Sequence, residues 1–547
     1  MYKGKHAISI IAAMMMVISL LAGCASNNGE NAPVDSSASN PPQEEQKELL
    51  NLTGMPIVNE PLTLKMFATS SPFNKGEFKD VEMWETYEQL SGVHVEWDAV
   101  PGANVLEKKN LVLNTGGTLP DAFFKVDMSS LELTRYGSQG LLIPLNDLIE
   151  KYAPNFKKIM DENPDVKKAV TMADGNIYSL PYLVTATPSR LPYKMFVNQK
   201  WLDATKLQAP TTTDELYDVL KTFSDFDQNS NQKKDEIPLT SGHGIDGIIN
   251  PLKGAWGLGN KGLSHPNVDV DPATQQLRFI PAEQGYKEML QFLNKLYSEK
   301  LLDQEIFTMD LAKLAAKGAL GQVGFSFATN NNLIGPENEN DLVGLEALKG
   351  PNGDKLYFPL NPNTGAVGTF MVTKDNKNPE ATIRWIDYFY GEEGQRLFFM
   401  GIEGETYTVA DGKATFTDLV KKNPDGLSLN DVLGKYVVWG GGSNPSVAGD
   451  KYFGDQLIGD ITRDAASKLM PYTPEEVWGP FAFSESDSTR IKTLENDILT
   501  YVKDMQAQFI TGHASFDKWE EYVNAFNKMG LKEYMEIYNK TYEVYNK

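Results

Sequence analysis

Between Asp227 and Glu236 the chain sets oxygen-bearing side chains at close, regular intervals: Asp227, Asn229, Asn231, Asp235 and Glu236, with the Lys233 carbonyl at the place between Asn231 and Asp235. Calcium takes about six to eight hard oxygens, and a loop that offers them at alternate positions wraps them round one point. Asp227, Asn229, Asn231, Lys233, Asp235 and Glu236 are therefore the candidate calcium ligands. Gln232 stands at the sixth position, where an EF-hand has glycine, and Pro238 stands where its bidentate glutamate would sit. The same residue types also build a solvated turn whose side chains bond their own backbone. Five ligand-type side chains at coordination spacing exceed what such a turn needs, so a structural calcium is the expectation.

The elements that must hold this loop are legible on either side of it. Thr212-Thr213-Asp214-Glu215 is a capping box, in which Thr212 and Glu215 satisfy each other's backbone donors. Leu216, Val219, Leu220 and Phe223 follow at helical spacing as one apolar stripe, which predicts a helix running into the loop. Upstream, Tyr193 to Asn198 reads as a strand and Lys200-Trp201-Leu202-Asp203 as a turn.

The amino terminus carries chemistry of another kind. Lys3 and Lys5 precede an apolar run from Ala7 to Leu21, and Leu21-Ala22-Gly23-Cys24 follows. Small residues leading into a cysteine form a bacterial lipobox, so a lipidated Cys24 is expected to begin the mature chain after removal of residues 1–23. The apolar run is too short to span a bilayer. Cys24 is the single cysteine, so no disulfide framework can form. Asn27 to Asn51, rich in Asn, Ser, Pro, Glu and Gln, reads as a disordered tether.

With 547 residues the chain exceeds one core and predicts at least two lobes. The 51 basic residues against 73 acidic ones, a net charge of −22, repel nucleic acid and anionic lipid, so neither is an expected partner. The five histidines are scattered, with no pair at metal-ligand spacing. From Leu62 the pattern is α/β: a strand to Phe67, a helix over Val81 to Leu90 stopped by Gly92, and a strand from Val93 to Trp97, which is a βαβ unit. A helix over Asn104 to Asn114 leads to the apolar Ala122-Phe123-Phe124. Further helices are expected over Ala282 to Leu301 and Pro379 to Phe399, with strands at Gly321 to Phe327 and Thr369 to Thr373. Beyond Ser488 the chain reads as helical. No G-x-S-x-G elbow, H-E-x-x-H helix or P-loop occurs in a supporting context.

Gly175-Asn176-Ile177-Tyr178-Ser179-Leu180-Pro181, Asn198-Gln199-Lys200-Trp201-Leu202-Asp203, Pro210-Thr211-Thr212-Thr213-Asp214-Glu215 and the acidic loop together resemble the extracellular solute-binding proteins of ABC importers. The resemblance is closest to the large Gram-positive lipoprotein branch that includes alginate- and oligosaccharide-binding receptors, and it extends over about residues 60 to 547. It implies a two-lobe periplasmic-binding-protein-like fold of type II, with discontinuous lobes joined by a hinge and a helical C-terminal region. The implied division is a tether over 24–57, lobe 1 over 58–185 and again over 363–410, lobe 2 with the calcium loop over 186–362, and a mainly helical part over 411–547 shared between lobes. It also implies a monomeric, non-enzymatic receptor, lipid-anchored on the outer face of the cytoplasmic membrane. Such a receptor captures an oligosaccharide and delivers it to ABC permease transmembrane subunits.

Sugars ask for flat apolar faces and planar polar groups. Trp256, Phe327 and Trp439, each in a Gly- or Asn-rich segment, are the candidate platforms, and Asn330, Glu403 and Tyr407 the candidate hydrogen-bonding groups. Open α/β sheets bind ligands at the carboxyl ends of their strands, which adds the loop Thr69 to Asn74 after the first strand, with Ser70 and Asn74 as its candidate ligand contacts, and Asp121 beside the third. An extracellular carbohydrate-active enzyme with a structural calcium, or a peptide receptor of the same fold, remains as an alternative reading.

Overall fold

The alternation that starts at Leu62 carries further than the apolar pattern predicts. In the computed structural model, which describes residues 50–335, 340–438 and 442–546, strand β1 runs Leu62–Ser70 and β2 runs Val93–Pro101. They pair in parallel from Leu62↔Val93 to Ser70↔Pro101, through a crossover helix Glu82–Ser91. Gly92 ends that helix at φ +75°, a left-handed turn that glycine makes without steric cost. β3 (Ala122–Met128) lies on the other side of β1, also parallel.

The chain then visits a second sheet and returns. β4 (Leu180–Val184) belongs to the first sheet, whereas β5 (Lys194–Asn198), β6 (Ile237–Ser241), β9 (Val323–Ala328) and β10 (Leu342–Gly344) form a second one in the order β10-β5-β9-β6. Between β6 and β9 a small hairpin intervenes, β7 (Val268–Val270) with β8 (Leu277–Phe279). β11 (Thr364–Val372) inserts antiparallel between β3 and β4 of the first sheet. After a hairpin of β12 (Tyr407–Ala410) and β13 (Lys413–Phe416), β14 (Val447–Ala448) completes the order β14-β4-β11-β3-β1-β2.

Each sheet has its own apolar core. One gathers side chains from Leu191 to Leu360 and again from Ala465 to Tyr545, and the others draw on Ile57–Ala186 and Val367–Phe453. The C-terminal helices Glu485–Thr511, Trp519–Lys528 and Leu531–Tyr545 therefore bury their stripes against the second sheet's lobe.

The calcium-loop helix forms as its sequence dictates, over Thr213–Asp225, with Glu215 N–H donating to Thr212 Oγ1 and Thr212 N–H to Glu215 Oε2. Leu216, Val219, Leu220 and Phe223 are all buried. Two expectations change. Lys200 to Asp203 is not a turn but part of a helix Gln199–Thr205, because the Asn198 side chain caps it by accepting from Trp201 N–H. Pro379 to Phe399 is not one helix: Pro379–Asp387 gives way to a 3-10 turn, and Glu392–Met400 starts afresh from an extended Gly391.

Candidate functional site

The topology brings the strand ends together. β4 runs parallel to β1–β3, so Val184 lies at the same end of the first sheet as Ser70, Pro101 and Met128. The chain leaves from there and enters β5, whose start lies beside Phe327 and Ala328 at the carboxyl end of β9. β10 ends at that same edge, and its chain returns to the start of β11 beside Leu183. β14 ends beside Val184, and the helix Asp460–Leu469 that follows packs on the second sheet, Lys468 Nζ donating to Gly344 O. All three connections thus join carboxyl end to carboxyl end, the place where open α/β sheets bind ligands.

On the first sheet this end holds a recess of about 820 Å³, lined by Thr69, Ser70, Asn74, Lys125, Asp127 and Ser443 among others. Asn74 is held by its Nδ2, which donates to the carbonyls of Gly434 (2.7 Å) and Val437 (3.0 Å). That leaves Asn74 Oδ1, together with Thr69 Oγ1, screened from solvent and without a partner among the described residues. Screened polar atoms of this kind are costly unless something else bonds them. Burial pushes the Asp127 carboxyl above its ordinary range, while the Ser443 hydroxyl and the Lys109 ammonium pull it back. Burial takes the Lys125 ammonium down to about 8.

The second sheet offers a different set at its carboxyl end. The Tyr193 and His243 rings meet edge to face at 5.2 Å, and His243 Nε2 lies 3.2 Å from Thr329 Oγ1. Burial lowers the His243 imidazole, and Tyr193 bonds Asn250. Lys194 is fully buried, donating to the carbonyls of Leu191 (2.7 Å) and Thr329 (2.6 Å), and burial takes it to about 7. A smaller recess of about 410 Å³ lies beside this set, with Asn330 and Asp460 in its wall.

Of the residues expected from sequence to touch ligand, Ser70 and Asn74 share the large recess and Asn330 lines the small one. Asp121 precedes β3 at the far end of the sheet, where its Oδ2 accepts from Lys65 N–H. Trp256 is buried against Phe292, and Phe327 against Phe325. Glu403 and Tyr407 bridge each other beside the β12–β13 hairpin, Tyr407 buried and Glu403 exposed. Trp439 and Cys24 lie outside the described residues. Thr69, in the loop singled out from sequence, lines the large recess as well. Sequence reasoning overlooked Lys125, Asp127, Tyr193 and His243. A signal existed for two of these: Lys125 and Asp127 interrupt an otherwise apolar strand at a spacing of two.

The acidic loop is closely wound. Asp227 accepts from Asn231 N–H and Gln232 N–H, Asn229 Oδ1 also accepts from Asn231 N–H, and Asn231 Nδ2 donates to both oxygens of Asp235. Glu236 Oε1 accepts from Gln228 N–H, and Gln322 Nε2 ties Asp235 to the start of β9. Ser230 and Gln232 take φ of +59° and +62°, so Gln232 makes the left-handed turn that an EF-hand assigns to glycine. Among the described residues no three of His, Cys, Asp and Glu converge as a metal group. Here the oxygens come from carboxylates and amides together, a hard donor set that fits calcium.

Residues 73–396 match the family described as bacterial extracellular solute-binding protein. The chain is 30% identical over 551 aligned residues to the fructooligosaccharide ABC transporter substrate-binding protein FusA of Streptococcus pneumoniae serotype 4, over 96% of each. It is 24% identical to lipoprotein LipO of Bacillus subtilis strain 168, over 83% of this chain and 88% of LipO. The solved S. pneumoniae FusA EF-hand mutant in complex with fructo-nystose superposes with a TM-score of 0.68 at 26% identity, over 88% of this chain and 99% of that one.

Proposed function

The chain belongs to the bacterial extracellular solute-binding proteins, and we propose that it captures an oligosaccharide between its lobes and delivers it to an ABC importer. Its fold is the two-lobe α/β arrangement of type II solute-binding proteins. The observation that carries the reading is the large recess at the first sheet's carboxyl strand ends, with Thr69 Oγ1 and Asn74 Oδ1 turned from solvent and without a partner among the described residues. A sugar hydroxyl donates to such acceptors, and a polyol meets several at once. Ligand held by the first sheet's recess and touched by Tyr193, His243 or Asn330 on the other wall favours the closed state by its added contacts there.

The reading assigns no catalysis to the chain. It assigns 24–57 to a tether, 58–185 and 363–410 to lobe 1, 186–362 to lobe 2, and 411–547 to both lobes. Cys24 is the assigned lipid anchor, in keeping with the relative named as a lipoprotein; no helix among the described residues is long and apolar enough to cross a membrane. Calcium is assigned to Asp227, Asn229, Asn231, Asp235, Glu236 and the Lys233 carbonyl, in keeping with the EF-hand named for FusA. A cation there would offset the repulsion of three carboxylates within one loop.

Titration calorimetry with kestose, maltotriose and mannotriose tests the function, with chromatography of the sugar afterwards. One-to-one binding that leaves the sugar intact is expected. Turnover of the sugar, or indifference to every glycan, refutes the reading.

A further inference from the structure

The recess owes two of its side chains to a break in β3. The ladder to β1 stops at Ala68↔Phe124. On the other side β3 pairs with β11 at Phe370↔Phe124 and again at Gly368↔Met128, so four steps along β3 oppose two along β11. Those extra residues are a bulge spanning Lys125 to Asp127, the device that re-aims side chains beside binding sites. Lys125 carries it at φ +57°, a left-handed conformation that is strained for an L-residue. Gly368 makes room for it: a Cβ there would stand 2.2 Å from the Met128 carbonyl oxygen.

The bulge turns Lys125 into the wall of the recess, where it is only 5% exposed. Its ammonium has three donors, and the structure gives it the Val438 carbonyl at 3.2 Å. Among the described residues no carboxylate forms an ion pair with Lys125, whereas Lys109 pairs with Glu132 and acts on Asp127. Lys125 thus joins a strained backbone to a desolvated cation with one neutral acceptor among the described residues, a combination that clusters at functional sites.

We propose that Lys125 is a specificity-determining residue of this site, donating two hydrogen bonds to hydroxyl oxygens of a neutral sugar whose neighbouring hydroxyl donates to Asp127. The neutral class follows from the recess holding one ammonium and one carboxylate that do not pair with each other: a diol satisfies both, whereas a uronate brings its own carboxylate against Asp127. The proposal rests on the receptor reading above.

The test compares wild type with Lys125→Met, which keeps the packed stem, and Lys125→Gly, which also relieves the backbone. Melting without ligand and binding of kestose, maltotriose, mannotriose and trigalacturonate are measured for each. Wild type is expected to bind a neutral trisaccharide and not trigalacturonate. Lys125→Met should melt no lower than wild type, since it keeps the stem that Lys125→Gly removes, and should weaken binding of that trisaccharide by about ten- to a hundredfold, the worth of a hydrogen bond to a charged group. Variants that melt lower while binding equally well make Lys125 a structural strut and overturn the proposal. Preference for trigalacturonate that vanishes in Lys125→Met overturns the neutral class. Wild type that binds none of the four glycans overturns the receptor reading, and the proposal with it.

Discussion

Acid should loosen the attachment of the C-terminal helices through one histidine. His265 is 7% exposed, with its ring 4.0 Å from that of Phe481. Its Nε2 lies 3.2 Å from the Gly479 carbonyl, which can only accept, so Nε2 carries the proton. The bare Nδ1 then accepts from the Tyr538 hydroxyl at 3.3 Å. Burial takes the imidazole from 6.5 down to about 4. A depressed histidine favours the neutral form in the fold, so its contribution is complete above pH 6.5 and is lost as pH falls through 4. At 1.36 kcal/mol per pKa unit, the linkage is worth about 3 kcal/mol, or about 1.4 kcal/mol of unfolding free energy per pH unit in that window. Urea unfolding at pH 7, 6, 5 and 4 for wild type and His265→Gln reads it directly, since the carboxylates that also titrate are common to both. The expected result is a shallower fall for His265→Gln. Parallel curves for the two proteins would refute the reasoning, because they would mean that the ring takes up its proton without leaving its site.

The Asp269–Arg278 pair is bidentate, joining a buried Asp269 to a half-buried Arg278, with Asp269 also accepting from Gly259 N–H, so Asp269→Ala should cost about 3 kcal/mol of unfolding free energy in urea. Chelator should lower the melting temperature of calcium-loaded protein, magnesium should restore it poorly, and Asp227→Ala should melt low and ignore chelator; a wild-type melt indifferent to chelator counts against a bound ion. Gly368→Ala should straighten or shift β3 and weaken glycan binding more than its loss of stability explains, which calorimetry below the melting temperature separates.

Local rules carried the sequence reading far. The Thr212–Glu215 box, the Leu216 to Phe223 stripe and the βαβ unit closed by Gly92 are all short-range patterns, and each forms where its residues put it. The misreadings share a cause. The helix at Gln199–Thr205 depends on a cap from Asn198 that is hidden when the segment is scanned for turns. The binding wall was harder still. Lys125 and Asp127 reach the recess because of a bulge whose partner strand and accommodating Gly368 lie far along the chain. β3 itself shows two charged residues at a spacing of two, but not the bulge that aims them. Tyr193 and His243 come together from separate segments in the same way.

The placement of β11 also governs when the molecule can be completed. β3 has β1 on one side, but its other edge and the inner edge of β4 both wait for Thr364–Val372. The strands of the second sheet all lie within the chain up to Gly344, so as the chain emerges amino end first every one of them appears while the first sheet is still an open ribbon, β2-β1-β3, and a lone β4. That ribbon exposes the apolar run Ala122 to Phe124 along an unpaired edge, which is the form of surface that recruits other chains. The interleaving that later lets two lobes share three connections therefore lengthens the interval in which a nascent chain needs protection.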